Sequence, residues 1–264
     1  MISIKKYVRP QSLEEAYELN QKKQNRVIGG MHFLKMGKGT VDTAIDLCDL
    51  GLSGIKETDE MFEIGAMTSL RELETHEGLL RYTEGAVKEA LKDIVGVQFR
   101  NTATIGGSLY GRYGFSDILT LFMCMDSYAE LYKGGTVPLC EFSEMAHDRD
   151  IIVRLIIKKT PGHFSYRALR LSKTDIPVLN SAASFIDGKY RVTVGARPMR
   201  AVTVSDTRGF LTGGLTEEAI EGFSLRASET VPTGSNMRGS KEYRSRLVKV
   251  LVSQNLKELG GKGL

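Results

Sequence analysis

The sequence has few of the residues that build metal centres. It holds three cysteines, Cys48, Cys124 and Cys140, and no two of them form a CxxC pair. Its four histidines, His32, His76, His147 and His163, show no HxxxH or HExxH spacing. A metal site or an iron–sulfur cluster made by this chain alone is therefore not expected. Each cysteine lies in or beside an apolar segment, which reads as a core thiol in a reducing compartment, and a cytoplasmic location is expected. The opening residues 1–11 lack the apolar segment of a signal peptide. No run approaches the roughly eighteen apolar residues of a transmembrane helix, so no membrane span is expected. The net charge is only +4 and mixed in sign, without a Lys/Arg cluster interleaved with aromatics, so nucleic acid is not an expected partner. No catalytic triad or carboxylate pair stands out, and no catalytic residue is assigned.

What is present is a hydrophobic fraction of 41%, enough for a real core, arranged in alternating strand and helix patterns. The first fifty or so residues read β–α–β. Ile2 and Ile4 alternate with polar residues, Ser12 to Glu15 forms a capping box whose helix buries Leu13, Ala16 and Tyr17, and Arg26 to Ile28 runs into Gly29-Gly30. Thr43 to Cys48 is the next strand. A second unit starts near Glu57, with a strand from Phe62 to Ala66 and a second capping box at Ser69–Glu72. Ala86, Val87, Ala90, Leu91 and Ile94 share one face and predict a helix over Thr83 to Val95. An apolar helix is expected over Ile118 to Met125, a hairpin around Gly134-Gly135, and a strand from Asp150 to Lys158. Beyond Pro161-Gly162 the texture changes to strands at Phe164–Arg170, Leu179–Ile186 and Tyr190–Gly195, with Asp187-Gly188 as a hairpin turn. Thr216 caps a helix through Glu221, and Ser240 caps a last helix that buries Tyr243, Leu247, Val250 and Leu251.

Two segments carry the chemical interest: Val27-Ile-Gly-Gly-Met-His32 and Thr104-Ile-Gly-Gly-Ser108. Paired glycines directly after β-branched residues permit a turn and remove the side chains that keep a ligand off the backbone. Successive N–H groups in such a turn form an anion-binding nest, and two nests can share one pyrophosphate. A single GG pair is more often just a turn. Neither segment fits GxGxxG or GxxxxGK[ST], which excludes Rossmann and P-loop readings. The residues by themselves reach two α/β units holding a phosphate-bearing cofactor.

Arg100-Asn-Thr-Ala-Thr-Ile-Gly-Gly-Ser108, followed by Asp117-Ile-Leu-Thr-Leu-Phe, carries a family pattern. The chain resembles the FAD-binding (medium) subunits of molybdenum hydroxylases of the xanthine, nicotinate and carbon monoxide dehydrogenase type. Val27 to Gly30 is similar to that family's first flavin loop, and Ile64-Gly-Ala-Met-Thr68 to a second element. Asp175-Ile176 and Arg238-Gly-Ser-Lys-Glu-Tyr-Arg244 are similar to its C-terminal domain. The resemblance covers nearly the whole chain in order. It implies an α+β protein. A two-subdomain α/β FAD-binding fold of the vanillyl-alcohol-oxidase/PCMH type (1–55 and 56–160) precedes a C-terminal α+β domain with a small antiparallel sheet (161–264).

The resemblance implies FAD as cofactor and assigns residues to it. The first loop, Ile28, Gly29, Gly30, Met31, His32 and Phe33, would wrap the pyrophosphate with its amides. His32 reads either as a phosphate contact or as a solvated loop residue. Thr104, Gly106, Gly107 and Ser108 would form the second loop, Ser108 standing where the family carries asparagine. Asp117 would accept from a cofactor hydroxyl, or cap the following helix. Tyr113 would stack on or shield the flavin, Ile151 and Ile152 would lie near it, and Arg167 would be either a cation near the isoalloxazine or a surface ion pair. The implied partners are a [2Fe-2S] iron–sulfur subunit and a molybdopterin-binding large subunit, with NAD as a candidate acceptor. Two rival readings are a stand-alone FAD-dependent oxidoreductase and an assembly subunit with a decayed flavin site.

Overall fold

The computed structural model describes residues 2–262. In chain order the elements begin with β1 (Ile2–Val8), α1 (Leu13–Asn20), β2 (Arg26–Ile28), β3 (Gly39–Asp46), β4 (Ile55–Glu57) and β5 (Met61–Gly65). Short helices follow: α2 (Leu70–Thr75), α3 (Glu77–Tyr82), α4 (Ala86–Leu91), α5 (Val97–Thr102), α6 (Ile105–Gly111) and α7 (Asp117–Phe122). Then come β6 (Ser127–Leu131), β7 (Gly135–Pro138), α8 (Leu139–Glu144) and β8 (Ile152–Lys158). The chain continues through β9 (Gly162–Leu169), β10 (Leu179–Ile186), β11 (Lys189–Gly195), β12 (Val202–Val204), α9 (Glu217–Thr230) and α10 (Lys241–Gly260). The fold is α+β, and it gathers into two compact units. The first comprises Met1–Leu73, Val97–Gly111 and Ser127–Lys158; the second comprises Glu74–Gly96, Arg112–Asp126 and Lys159–Leu264.

The first unit holds two sheets. One is a parallel sheet of order β1-β3-β2, the product of the expected β–α–β start. The Ser12 hydroxyl accepts from the Glu15 N–H at 3.1 Å, which starts α1, and Ala16 then packs on Ile45 and Leu47. The other is an antiparallel sheet of order β4-β5-β8-β6-β7. Strict alternation buries Phe62, Ile64, Ala129, Leu155 and Ile157 on one face. On the opposite face Arg154 pairs with Glu63 at 2.6 Å and Glu130 at 2.7 Å. The second capping box is reciprocal: Ser69 Oγ accepts from the Glu72 N–H at 3.2 Å, and Glu72 accepts from the Ser69 N–H at 2.9 Å.

The second unit is built on an antiparallel sheet of order β12-β11-β10-β9. Asp187 (φ 50°) and Gly188 (φ 70°) make the hairpin turn between β10 and β11 in the left-handed region, as an Asp-Gly pair favours. One face of the sheet, with Leu179, Ala183, Val192 and Val194, packs on Phe223 of α9 and Val248, Val252 and Leu256 of α10. The other face mixes apolar residues (Phe164, Ala182 and Ile186) with polar ones. Thr193 donates to the Thr120 carbonyl of α7, and Ser184 to the carbonyl of Cys124.

Several expectations need correction. The helix expected over Thr83–Val95 is only Ala86–Leu91, because Glu84 (φ 51°) and Gly85 (φ 86°) break the chain into a left-handed corner. The expected helix Ile118–Met125 is α7, one residue earlier and ending at Phe122, and α9 runs well past Glu221. In α10 the buried stripe is rotated. Tyr243 and Val250 are 44% and 46% exposed, while Arg244, Val248, Leu251 and Val252 face inward. Cys124 is a core thiol as expected, but Cys48 and Cys140 are exposed.

Candidate flavin site

The first glycine segment leaves the end of β2, where Ile28 is buried opposite Asp46 of β3. A Cβ on Gly29 would lie 2.6 Å from Thr104 Oγ1, and one on Gly30 would run into the Thr102 carbonyl. The two segments identified in the sequence therefore touch, and both glycines are demanded by close approach. Met31 follows with φ 57°, an uncommon left-handed conformation for a side-chain-bearing residue. Among the described residues, none of the backbone N–H groups of Gly29, Gly30, Met31 and His32 has a protein acceptor. Four consecutive amides without partners are the donor set of an anion cradle.

His32 is anchored within the chain. Its ring stacks on Phe99 with centroids 3.8 Å apart, and Nε2 lies 2.8 Å from Thr102 Oγ1. The Thr102 hydroxyl also lies 3.3 and 3.2 Å from the Gln98 and Phe99 carbonyls of the same turn. Burial, helped by nearby Lys35, pushes the His32 pKa below its ordinary value and favours the neutral ring. Phe33 is partly exposed at the start of the turn Leu34–Met36.

The second segment is not a turn. Gly106, Gly107 and Ser108 lie in the first half of α6. The Gly106 N–H donates to the Ala66 carbonyl at 2.8 Å, and the Gly107 N–H to Thr104 Oγ1 at 3.2 Å. The Ser108 N–H and hydroxyl both donate to the Thr104 carbonyl, at 3.1 and 2.9 Å. These amides are spent inside the chain, so the second segment forms no open nest. Its glycines act by size: a Cβ on Gly106 would sit 2.7 Å from the Ala66 oxygen. Thr104, largely buried, braces Gly29. Ile151 and Ile152 are buried, Ile151 in the core that also holds Ala16 and Ile45.

Tyr113, Asp117 and Arg167 belong to the second unit. The Tyr113 ring stacks nearly parallel on Phe115, centroids 5.3 Å apart and planes 7° from parallel. Asp117 is not the cap of α7. Ser116 is, its Oγ accepting from the Leu119 N–H at 3.1 Å. Asp117 is instead a buried carboxylate bonded to Tyr166, Asn180 and Arg170. Arg167 is half-exposed and pairs with Glu258 at 2.8 Å, which matches the surface ion-pair alternative.

Sequence reading missed Phe99, Thr102, Tyr166, Arg170 and Asn180. Two of them gave a signal: Thr102 lies inside the Arg100–Ser108 segment, and Asn180 is the second residue of a strand otherwise made of apolar and small residues. The open amides and the glycine contacts fit a pyrophosphate-bearing cofactor such as FAD.

Comparison with known proteins agrees with this geometry. Residues 2–159 match the family described as FAD binding domain in molybdopterin dehydrogenase, and residues 164–259 match the CO dehydrogenase flavoprotein C-terminal domain. The uncharacterized protein YgfM of Escherichia coli strain K12 is 26% identical over 256 residues, covering 95% of this chain and 94% of that protein. The nicotine 6-hydroxylase medium subunit of Paenarthrobacter nicotinovorans is 23% identical over 278 residues, covering 97% and 98%. A solved carbon monoxide dehydrogenase chain from Hydrogenophaga pseudoflava superposes with a TM-score of 0.89 at 21% identity, over 97% of each chain, which establishes the shared fold. With more than half of its length matched, the chain belongs to the family of FAD-binding domains of molybdopterin dehydrogenases.

Proposed function

We propose that this chain is the FAD-carrying, electron-transferring subunit of a cytoplasmic molybdenum hydroxylase complex. Its partners in this reading are an iron–sulfur subunit and a molybdopterin-binding large subunit. The observation that carries the reading is the run of four amides, Gly29 to His32, with no protein acceptor, in a loop whose glycines leave no room for a side chain. Membership of an FAD-binding family supplies the cofactor. The similarity to a nicotine 6-hydroxylase medium subunit supports a place in a multi-subunit hydroxylase.

When bound, FAD supplies a centre that exchanges single electrons with an iron–sulfur donor and an electron pair with an acceptor such as NAD. The chain's own residues hold and orient it. The Gly29–His32 amides donate to the pyrophosphate, and His32 and Thr104 keep that loop in place. Ile28, Phe33, Ile151 and Ile152 are proposed to lie near the cofactor, and Tyr113 to stack on it or shield it. Asp117 is proposed to accept from a cofactor hydroxyl. No proton-transfer group is required of this chain, since the substrate would be hydroxylated elsewhere in the complex. We also propose a division into parts 1–55, 56–160 and 161–264; the change of sheet after β8 supports the second boundary.

The protein purified with its neighbours should be yellow, release FAD on denaturation, and bring iron and molybdenum subunits with it. A colourless chain that takes up no added FAD would sink the reading. An FAD-loaded chain that never associates with such subunits would favour a stand-alone flavoprotein.

A further inference from the structure

We infer that Tyr166, Asn180 and Arg170 are positioning residues that hold the Asp117 carboxylate so that one oxygen faces a hydroxyl donor of the flavin cofactor. This rests on the FAD reading above, in which Asp117 already takes a cofactor hydroxyl, and adds to it how that carboxylate is presented.

Asp117 is the first residue of α7 and only 5% exposed. Everything that touches its carboxylate converges on a single oxygen, Oδ1. The Tyr166 hydroxyl donates to it, Asn180 Nδ2 donates at 3.0 Å, and the Arg170 guanidinium pairs with it at 2.9 Å. Oδ2 makes no hydrogen bond to any described residue, yet it is not among the sealed buried atoms that lack partners. A carboxylate buried to this degree ordinarily has both oxygens occupied, because an unmade bond leaves the desolvation cost unrepaid. The asymmetry marks Oδ2 as kept open for a ligand.

The holders are themselves held. Asn180 Oδ1 accepts from Thr120 Oγ1 at 3.0 Å, and Arg170 donates to the Asp175 carbonyl at 2.7 Å. Burial and the adjacent Asp117 charge push the Tyr166 pKa well above its ordinary value, so the phenol stays a donor. A carboxylate facing a guanidinium accepts hydrogen bonds and donates none. The ligand group at Oδ2 must then be a donor. A hydroxyl qualifies, whereas a phosphate would meet like charge. FAD carries hydroxyls on its ribityl chain and on its adenosine ribose; FMN carries only the first.

The test measures flavin dissociation constants of the apoprotein by fluorescence quenching, for FAD and FMN, in wild type, Asp117→Asn, Tyr166→Phe and the double variant. Near-ultraviolet circular dichroism checks that each is folded. Asp117→Asn keeps an oxygen for the converging donors and replaces the other with an amide. It should weaken FAD by about tenfold to a hundredfold. Tyr166→Phe should weaken FAD by about threefold to tenfold, and the double variant should bind no more weakly than Asp117→Asn alone. Equal losses for FMN and FAD assign the ribityl hydroxyls, and losses confined to FAD assign the ribose. The inference is overturned if Tyr166→Phe lowers Tm but leaves FAD affinity unchanged, or if its effect persists undiminished beside Asp117→Asn. Wild-type affinity in folded Asp117→Asn overturns it while leaving the FAD reading intact. A wild-type apoprotein that binds neither flavin overturns both.

Discussion

Gly30 and Met31 are neighbours with opposite demands. Gly30 can carry no side chain because the Thr102 carbonyl occupies the space, whereas Met31 carries one in a backbone conformation that suits glycine. Gly30→Ala should therefore cost about 1–3 kcal/mol by forcing the two segments apart, and FAD content after gel filtration should fall with it. Met31→Gly should raise the urea midpoint, by no more than about 1 kcal/mol of stability, because it relieves the left-handed strain. His32→Ala should weaken FAD retention through loss of the Phe99 stack and the Thr102 hydrogen bond, which fluorescence quenching would register. The glycines of Val27 to His32 were legible in the sequence as a place where the backbone needs room. The loop's mode of support was not, since Phe99 and Thr102 lie about seventy residues away and nothing in their types announces a partner.

At the scale of elements, the clearest lesson is α6. Two adjacent glycines lower helix propensity and read locally as a turn, yet tertiary contact overrides propensity: only a residue without Cβ lets this helix start against Ala66. Capping boxes were legible because their signal lies within four residues: Ser69 and Glu72 form a reciprocal box, while Ser12 caps Glu15, whose carboxylate accepts from the Gln11 N–H instead. The last helix was found from its Ser240 cap but with its stripe rotated, because a fully buried arginine does not look like a core residue. Arg244 donates to the carbonyls of Val178, Gly234 and Gly239, at 2.9, 2.6 and 2.6 Å, and to Asn236 Oδ1 at 2.5 Å. Arg244→Met should destabilise by about 3 kcal/mol in denaturant unfolding, as several buried acceptors lose their donor at once. Nearby, Arg238 bonds Asp175 and holds its carboxyl below the usual range. A depressed folded-state pKa contributes stability above the ordinary Asp value and loses it as pH falls through the folded one. Acid unfolding should therefore flatten in Asp175→Asn below about pH 4, measured against wild type.

Over the whole molecule, the order of strands and helices was largely legible, and so was the change of texture near residue 160. Hairpin pairing was legible too, but long-range pairing was not, because the compact units are assembled from separated stretches of chain. Cysteine accessibility gives a simple check. Cys48 and Cys140 should alkylate in the native protein, and Cys124, whose burial pushes its pKa up to about 12, only on unfolding; peptide mass spectrometry would read this. Saturating FAD at a hundred times its dissociation constant should stabilise the folded chain by about 2.7 kcal/mol, seen as a Tm rise in calorimetry. The strand order also carries a consequence for synthesis. β8 is the middle strand of the five-stranded sheet, yet it is the last of those strands to be made. At ordinary translation rates, β4 and β5 wait several seconds or more on the ribosome for their neighbour. During that interval Phe62 and Ile64 have no sheet to close over them, so nascent chains stalled before residue 152 should be chaperone clients, and chains stalled beyond residue 158 and clear of the exit tunnel should not.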